Sequence, residues 1–451
     1  MPGNFAGGGR TSLASYDPTD GTLEFYATQN GQIGMLADPI QWPLRPQPEQ
    51  ITLGVLNHEQ RAPAADCRRL RPARRGRAWG GRIDTLISDM PTTRTPPRYE
   101  EDRGFHAELR RRVRLHLEAN GRPARGLVAM YVKSAVLGLW LAGSYLLLVF
   151  TADRAWQAAL LVLSLGLAVA GIGMNVQHDG SHGSYSTDRR VNRAMALTLD
   201  LLGGSSYVWK HKHNVLHHTW PNVAGVDDDI NTGGLARLSP AQPRRRLHRF
   251  QHLYMWPLYA LLAVKWHLFD DFAVLVTGRL GGQRLPRPGL ADLLTLVAGK
   301  LVFAAWAFGL PLLYHPASTV ALVYLASAAV VGLTLSVVFQ LAHCVPEAIP
   351  APGRSASWAV CQVVSSVDFA RGNRLLGWYL GGLNFQIEHH LFPQLCHIHY
   401  RAIAPLVEGT CHEFGVSYHA RPTFRAALAS HFRLLERLGR AELAPAVAPT
   451  R

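Results

Sequence analysis

The sequence predicts an all-α integral membrane protein in which four transmembrane helices form two hairpins, with interfacial helices and a cytosolic helical cap. Two observations predict this fold class. Of the 451 residues, 48% are hydrophobic and only 17% are charged, which is typical of chains with membrane-length apolar runs. The longest apolar runs also come in two pairs, and a short turn joins the members of each pair.

Four apolar runs are long enough to cross a bilayer. A helix rises about 1.5 Å per residue and the hydrocarbon core is about 30 Å thick, so about 20 apolar residues are sufficient. Lys133 interrupts the first run, and Lys300 lies in the first half of the third, where its stem is expected to extend toward the headgroups. The predicted spans are residues 126–150, 155–177, 291–314 and 317–341.

Arginines predict the orientation of the spans. The turns at residues 151–154 and 315–316 are short and nearly uncharged, so the positive-inside rule places the N-terminal side and the central loop in the cytoplasm. The net charge of +15 is then mainly a membrane-surface effect, and no nucleic-acid partner is expected because no binding module accompanies it. The arginines before the first span are Arg103, Arg110, Arg111, Arg112, Arg114, Arg122 and Arg125.

Two further apolar stretches are predicted to lie in the membrane interface. Residues 194–207 are too few to span, and residues 251–277 contain several charged side chains near their middle. If residues 251–277 crossed the bilayer instead, His343 and His217 would lie on opposite sides of it.

The flanking regions differ in pattern. Residues 1–89 are rich in glycine and arginine and have no membrane run, so they are expected to be disordered, or not natively translated if Met90 is the natural start. Residues 90–125 are predicted to form a cytosolic amphipathic helical region, because residues 105, 109, 113 and 117 are apolar. Residues 126–400 would form the membrane domain, and residues 401–451 cytosolic C-terminal helices and a tail.

Histidines are concentrated in three strings, HDGSH (178–182), HNVLHH (213–218) and QIEHH (386–390). Each string contains an i, i+4 pair, which lies on one face of a helical turn. The predicted topology brings all three strings, and His343 at the end of the fourth span, to the cytoplasmic face. Clustered imidazoles repel when protonated and lose hydration when buried, unless a cation organises them as neutral donors. The pattern therefore predicts a metal site.

The number of donors indicates two ions. A structural zinc needs four ligands and a catalytic zinc three, whereas the strings and His343 provide more. Imidazoles suit iron, copper, zinc and nickel, but a pair of irons that reacts with O2 is favoured over two zincs. The five cysteines form no CxxC pair, so packing is expected for Cys344 and Cys396 despite their position beside the histidines.

In order along the chain, the motifs are HDGSH, WKHKHNVLHHTWPN followed by Asp227-Asp228-Asp229, FQLAH and GGLNFQIEHHLFP. They resemble the membrane fatty acid desaturases, specifically the front-end branch (Δ6/Δ5-like, linoleoyl-CoA desaturase-like), in which glutamine replaces the first histidine of the third box. The motifs extend from His178 to His399, and the hydropathy pattern agrees from about residue 101 to residue 440.

The resemblance implies a di-iron centre. His211 is the uncertain member of the second box, because only His213 has the i, i+4 relation to His217. Residues expected to orient the imidazoles are Asp179, Asn384, Glu388, His397 and Asp227 to Asp229. The implied metal ligands are His178, His182, His213, His217, His218, His343, Gln386, His389 and His390.

The implied activity is O2-dependent desaturation of a fatty acyl chain carried as acyl-CoA or acyl-lipid, in contact with membrane lipids. An unactivated methylene group has no acidic proton, so the metal would supply the chemistry and the protein an apolar tunnel. The sequence has no nicotinamide, flavin, iron–sulfur or fused cytochrome b5 fingerprint. An external donor is therefore expected, either ferredoxin or cytochrome b5 with its reductase.

Two alternative functions are compatible with histidine-rich strings. A related di-iron membrane enzyme could hydroxylate a lipid or carotenoid, because both reactions begin with the same hydrogen abstraction. A metal transporter or sensor would instead place ionisable ligands along a pathway inside the spans, whereas here they lie at span ends and in predicted cytosolic segments.

Overall fold

The computed structural model describes residues 99–349 and 356–440, together with five strands between residues 2 and 41. It divides into two compact units, Met1–Asp84 and Thr85–Arg451. The second unit contains every histidine motif, so the functional argument depends on that unit.

The first unit contains an antiparallel sheet that the sequence analysis did not predict. The strands follow the order β1-β2-β3-β4, and β5 pairs with β3. The signals for it were present: residues 22–29 alternate in polarity, and Asn30-Gly31, a dipeptide favoured in hairpin turns, separates β3 from β4. The fold is therefore mostly helical rather than all-α. The strands are β1 Pro2–Ala6, β2 Arg10–Asp17, β3 Thr22–Gln29, β4 Gln32–Met35 and β5 Ile40–Gln41.

The other predictions for the N-terminal segment concern residues 42–98, which lie outside the described residues. One of them is that Met90 is the natural start of translation. Disorder of that stretch stays a prediction.

Helices dominate the second unit. Among the described residues, four of them contain or lead into a π-helical segment, and the unit also has four short strands in two pairs. The helices are α1 Phe105–Ala119, α2 Val128–Phe150, α3 Ala155–His182, α4 Arg189–Ala196, α5 Thr198–Leu201, α6 Ser206–Trp209, α7 Gln251–Ala260, α8 Leu262–Lys265, α9 Asp271–Thr277, α10 Leu290–Leu312, α11 Ala317–His343, α12 Trp358–Val364, α13 Arg374–Tyr379, α14 Gln386–Leu391, α15 Tyr400–Glu413 and α16 Phe424–Arg440. The short strands are β6 Arg279–Leu280, β7 Gln283–Arg284, β8 Asp368–Phe369 and β9 Ala420–Arg421, and β8 pairs with β9 in parallel.

Four helices of this unit, α2, α3, α10 and α11, are long and apolar enough to cross a membrane. Their bounds agree closely with the predicted spans, with one exception. The second span was expected to end at residue 177, but α3 continues to His182 through a π-helical turn at Gly173–Gln177. The first histidine string is therefore the last turn of a long helix rather than a segment beyond it.

Small and polar residues join the long helices to one another. The hydroxyl of Ser164 in α3 accepts a hydrogen bond from the indole N–H of Trp140 at 2.8 Å and lies 2.7 Å from the hydroxyl of Ser144, both in α2. A Cβ atom on Gly166 would lie only 2.6 Å from the Cβ of Val330 in α11. Close helix contact at small residues is typical of membrane bundles.

Lys300 does not extend toward the headgroups as expected. Its ammonium group donates to the carbonyl of Gly203 at 2.6 Å and to the carboxylate of Asp271 at 2.8 Å. These acceptors lie just after α5 and at the start of α9, so the lysine fixes α10 to both of these segments.

The segment of residues 251–277 is divided among shorter helices rather than forming one long span. It consists of α7, α8, a π-helical turn at Trp266–Asp270 and α9. Among the described residues, only the four long helices have the length and hydropathy of a span.

Both flanks contain a helix with one buried apolar face. Phe105, Leu109 and Val113 of α1 are buried in a cluster that also contains Ile387 of α14 and Val407 of α15. Helix α16 likewise buries leucines against α7. The helix that carries the third histidine string is therefore held between the N-terminal and C-terminal helices.

We expect Gly166→Val to destabilise the fold, because its side chain would overlap Val330 in α11. Overpacking of this kind costs about 1–3 kcal/mol. Thermal unfolding of the purified protein in detergent should occur at a lower temperature. Gly138→Val in α2 is the matched control, since no atom lies within 4 Å of a Cβ at that position. Equal melting temperatures for both variants would contradict the contact.

Candidate metal centre

The first histidine string occupies the end of α3. His178 and His182 are one α-helical turn apart, and their ring centroids lie 4.7 Å from each other. The π-helical turn that precedes them adds a residue to the helix and changes the direction in which the following side chains point. The i, i+4 expectation holds for this pair.

The second string follows α6 on a π-helical segment, Lys210–His217. In such a segment the hydrogen bonds join residues five apart, so His213 lies next to both His217 and His218. The ring of His213 stacks on His217 at 5.2 Å, and its Nε2 lies 3.3 Å from Nε2 of His218. His211 has a different environment, with its Nδ1 2.9 Å from the carbonyl of Tyr207, and it joins no group of metal donors.

The third string forms α14 and meets His343 at the end of α11. The amide nitrogen of Gln386 lies 2.9 Å from Nε2 of His343. Nε2 of His390 lies 3.2 Å from the same atom. His389, on the neighbouring position, has its ring 4.5 Å from that of His178.

The structure brings all eight predicted histidines into one buried cluster. Within each of its groups, one donor atom from each residue lies within 4.8 Å of the others. One group is His178, His182, His213 and His389; a second is His217, His343 and His390; a third, His218, His389 and His390, joins them.

Hydrogen bonds fix the tautomers of the second group. The Nδ1 atoms face acceptors: the Asp227 carboxylate at 3.0 Å from His217, the Ser365 carbonyl at 3.0 Å from His343, and the Gln362 amide oxygen at 2.8 Å from His390. Each Nδ1 therefore donates its hydrogen, and each Nε2 carries a lone pair. Three lone pairs point toward one space.

These lone pairs would repel each other without a cation between them. Two nitrogens that are each about 2.1 Å from one ion, at bond angles of about 90–110°, lie about 3.0–3.4 Å apart. The distance of 3.2 Å between Nε2 of His343 and Nε2 of His390 lies within this range. The donor set thus fits a metal ion.

Further nitrogen atoms of the cluster are buried and have no hydrogen-bond partner within the described chain. Buried polar atoms nearly always have a hydrogen-bond partner. Without a bound cation, these buried nitrogens would therefore destabilise the fold. The atoms are Nε2 of His182, His217 and His389, and Nδ1 of His213 and His218.

Burial keeps most of the cluster in the neutral form that binds metal. Burial, and after it the neighbouring imidazoles, hold the pKa of His213, His218, His389 and His390 well below the usual value. His217 differs: burial lowers its pKa, but the carboxylates of Asp227 and Asp229 outweigh burial, and the pKa is raised.

The residues expected to orient the imidazoles divide into two sets. Asp227 contacts His217 as expected, and Asp229 lies 3.7 Å from Nδ1 of His213. Asp228 and Asp229 both pair with Lys212. These acidic residues therefore support the second histidine string.

Asn384 and Glu388 bond elsewhere. Asn384 donates to the carbonyl of Phe369 at 3.2 Å, and Glu388 accepts from the hydroxyl of Tyr418 at 3.0 Å. The oxygen of that hydroxyl also lies 2.6 Å from the buried carboxylate of Asp368. Burial and the Asp368 carboxyl raise the pKa of Glu388 well above its usual value. Both residues therefore join α14 and the residues before it to neighbouring segments, and neither hydrogen-bonds to an imidazole.

Sequence reasoning missed several residues that do contact the imidazoles. Gln362 of α12 holds His390, and the hydroxyl of Tyr400 lies 3.2 Å from Nδ1 of His389. The ring of Trp209 stacks on His213 at 4.6 Å. None of these lies within a histidine string, although Trp209 begins the motif WKHKHNVLHH.

None of the four cysteines in the described part of the chain joins the histidine cluster. Cys344 follows His343 but is packed in an apolar cluster, and it belongs to no donor group. Cys396 lies beside Asp179 and His397, apart from the eight histidines. The expectation that cysteines are not ligands of this cluster agrees with their positions.

An apolar cavity lies among the four long helices. Its lining includes Leu165 of α3, Phe303 of α10 and Val331 of α11, together with His267. The ring of Trp266, next to His267, lies 5.6 Å from the ring of Trp209, which stacks on His213. A series of aromatic contacts therefore leads from the neighbour of a lining residue to His213.

Comparison with known proteins identifies the family. The model of the fatty acid desaturase family matches residues 154–422, which include every histidine string. The chain belongs to the fatty acid desaturase family. The desaturase is 38% identical over 358 residues to an sn-1 linoleoyl-lipid 6-desaturase of Arthrospira platensis, a match that covers 77% of this chain and 96% of the relative.

Two further relatives agree. The sn-1 linoleoyl-lipid 6-desaturase of Synechocystis sp. is 35% identical over 358 residues, covering 76% of this chain and 98% of the relative. An acyl-lipid (8-3)-desaturase of Physcomitrium patens is 38% identical over 351 residues, covering 76% of this chain and 73% of the relative. The predicted front-end branch is confirmed, and the protein is an enzyme, a fatty acid desaturase. The hydroxylase alternative finds no support among these relatives.

We expect Gln362→Leu to weaken metal binding, because Nδ1 of His390 would lose the acceptor that fixes its tautomer. Loss of such a partner typically lowers metal affinity 10- to 100-fold. Metal content after equilibration with a competing chelator measures the effect. Gln251→Leu is the control: Gln251 is equally buried but bonds Arg237 and Leu435. If both variants kept the metal equally well, the role given to Gln362 would be wrong.

Proposed function

We propose that the desaturase introduces a double bond into an acyl chain of a membrane glycerolipid, on the carboxyl side of an existing double bond. Two relatives that this chain covers almost completely are named as linoleoyl-lipid 6-desaturases, which supports an acyl-lipid substrate over acyl-CoA. The observation that carries the proposal is the buried cluster of eight histidines.

Two iron ions would be held by this cluster. One would take the group of His178, His182, His213 and His389, and the other the group of His217, His343 and His390. His218 lies between the two groups, and Gln386 next to His343 would complete the second. When bound, the irons supply the redox chemistry with O2 that removes hydrogen from an unactivated methylene group.

The chain's own residues bind, orient and exclude water. Asp227, Gln362 and the carbonyl of Ser365 hold their imidazoles with Nε2 directed at the ion. The cluster is shielded from bulk water, since seven of its eight histidines are buried and only His182 is partly exposed, and Gln386 and Asp227 are buried as well. The apolar cavity among the long helices, close to the Trp209 side of the cluster, offers a place for part of the acyl chain.

The four long helices would cross the membrane as two hairpins, α2 with α3 and α10 with α11. Short turns separate the members of each pair, and the arginines before α2 would keep that end in the cytoplasm. The histidine strings at the ends of α3 and α11 would then share the cytoplasmic face with the remaining strings. The helices outside the four spans would form a cytosolic cap over the site.

The reaction needs two electrons from outside the acyl chain. Removal of two hydrogens supplies two of the four electrons that reduce O2 to two waters, so a donor must supply the other two, together with two protons. Ferredoxin, or cytochrome b5 with its reductase, would bind at the cytoplasmic face. The motif region carries no flavin or nicotinamide fingerprint.

We expect His217→Ala to abolish product formation and to lower bound iron, because one donor set would be incomplete. Iron per protein and acyl profiles of host lipids report the two effects. His252→Ala is the control: His252 is also buried but packs on Phe432. In a host without polyunsaturated fatty acids, the product should be lighter than its precursor by two hydrogens. A product heavier by one oxygen would instead support the hydroxylase.

Purified desaturase with O2 and an acyl-lipid is expected to remain inactive until a reductase and either ferredoxin or cytochrome b5 are added. NADPH alone has no site at which to transfer hydride. Oxygen consumption and product formation are measured with and without the carrier. Sustained turnover on NADPH alone would show that the electron route is within the chain.

A further inference from the structure

Lys133 is a buried lysine within the first long helix. It lies in the second turn of α2, and its side chain is only 5% exposed. Its ammonium nitrogen is 2.8 Å from Nε2 of His397 and 5.1 Å from the centre of the Trp378 ring. Since a buried ammonium group is costly unless it is paired, these contacts need an explanation.

The chemistry of the ammonium group fixes the direction of the hydrogen bonds. An ammonium nitrogen can only donate, so Nε2 of His397 must accept, and Nδ1 of His397 must carry the ring hydrogen. That Nδ1 lies 2.9 Å from a carboxylate oxygen of Asp179. A single arrangement of hydrogens therefore extends from Lys133 through His397 to Asp179.

The chain of contacts continues to the metal cluster. The second carboxylate oxygen of Asp179 lies 3.9 Å from Nδ1 of His178, and Nε2 of His178 lies 3.2 Å from Nε2 of His213. A carboxylate on the Nδ1 side favours the tautomer that leaves the Nε2 lone pair free for a metal. The Asp179 carboxylate thus faces the Nδ1 side of His178, and His397 holds that carboxylate by a hydrogen bond.

The same residues could suggest a further metal site, because Asp179, Cys396 and His397 offer donor atoms within 4.8 Å of each other. The ammonium group of Lys133 already supplies a positive charge at this place, in contact with His397. One ammonium and one carboxylate compensate each other within the buried region. The charge balance therefore favours a lysine-held support over another ion.

We propose that Lys133 is a positioning residue for the metal centre. It fixes the hydrogens of His397, and thereby holds the Asp179 carboxylate that directs His178 toward its ion. This inference rests on the proposed function, because it requires that His178 is a metal ligand.

The test is anaerobic titration of purified, metal-free protein with Fe(II), and with Co(II) as a spectroscopic probe. Wild type is expected to bind two ions. In Lys133→Met the affinity for one of the two should fall about 10- to 100-fold, as for other losses of a residue behind a ligand, with a changed Co(II) absorption spectrum. Lys133→Arg keeps a cationic donor and should retain tighter binding than Lys133→Met.

Lys300→Met is the matched control, because Lys300 is also largely buried in a long helix but contacts Asp271 and Gly203. It should bind two ions with wild-type affinity. A second pair tests His397: His397→Gln can accept from Lys133 and donate to Asp179, whereas His397→Phe can do neither. His397→Gln should therefore bind metal more tightly than His397→Phe. If Lys133→Met does not fold, the comparison of these two variants tests the role of Lys133 instead.

The outcomes separate the two proposals. If wild type binds two ions and both Lys133→Met and His397→Phe match its affinity and spectrum, the role of Lys133 is refuted and the metal centre stands. If wild type binds no ion, the proposed function itself fails.

Discussion

The structure depends on the convergence of imidazole lone pairs in a buried space. Nε2 of His343 and Nε2 of His390 lie 3.2 Å apart, and hydrogen bonds on the opposite side of each ring leave neither with a hydrogen to share. Such a contact is repulsive unless a cation lies between the two atoms. The surrounding fold is therefore best understood as the means of holding these rings together before the ion binds.

Several distant parts of the chain contribute to that support. Long helices end at His182 and His343, a π-helical segment carries the second string, and α14 carries the third. Buried apolar side chains of α1 and α15 pack against α14. Because the donors come from segments more than 200 residues apart in sequence, a loss of packing at α1 or α15 would disturb the site although neither contains a proposed ligand.

Much of the fold and most of the donor set could be predicted from the sequence. Hydropathy gave the four long helices within a few residues, apart from the continuation of α3, and the histidine strings gave the cluster. The acceptors on the far side of the rings could not be predicted, because Gln362 and Ser365 belong to no periodic pattern. The resemblance implies that Asn384, just before the third string, and Glu388, within it, orient imidazoles. Adjacent residues of a helix point about 100° apart, however, and Glu388 faces Tyr418.

The π-helical segment Lys210–His217 has a consequence for how this motif tolerates change. A π-helical turn contains one residue more than an α-helical turn. Deleting one residue from this segment would allow an ordinary α-helix to form, with better local hydrogen bonding, and would rotate every following side chain by about 100°. The histidines would then face away from their partners while the composition of the string stayed intact. The number of residues in this segment is therefore as important as the histidines themselves for bringing their rings against their partners.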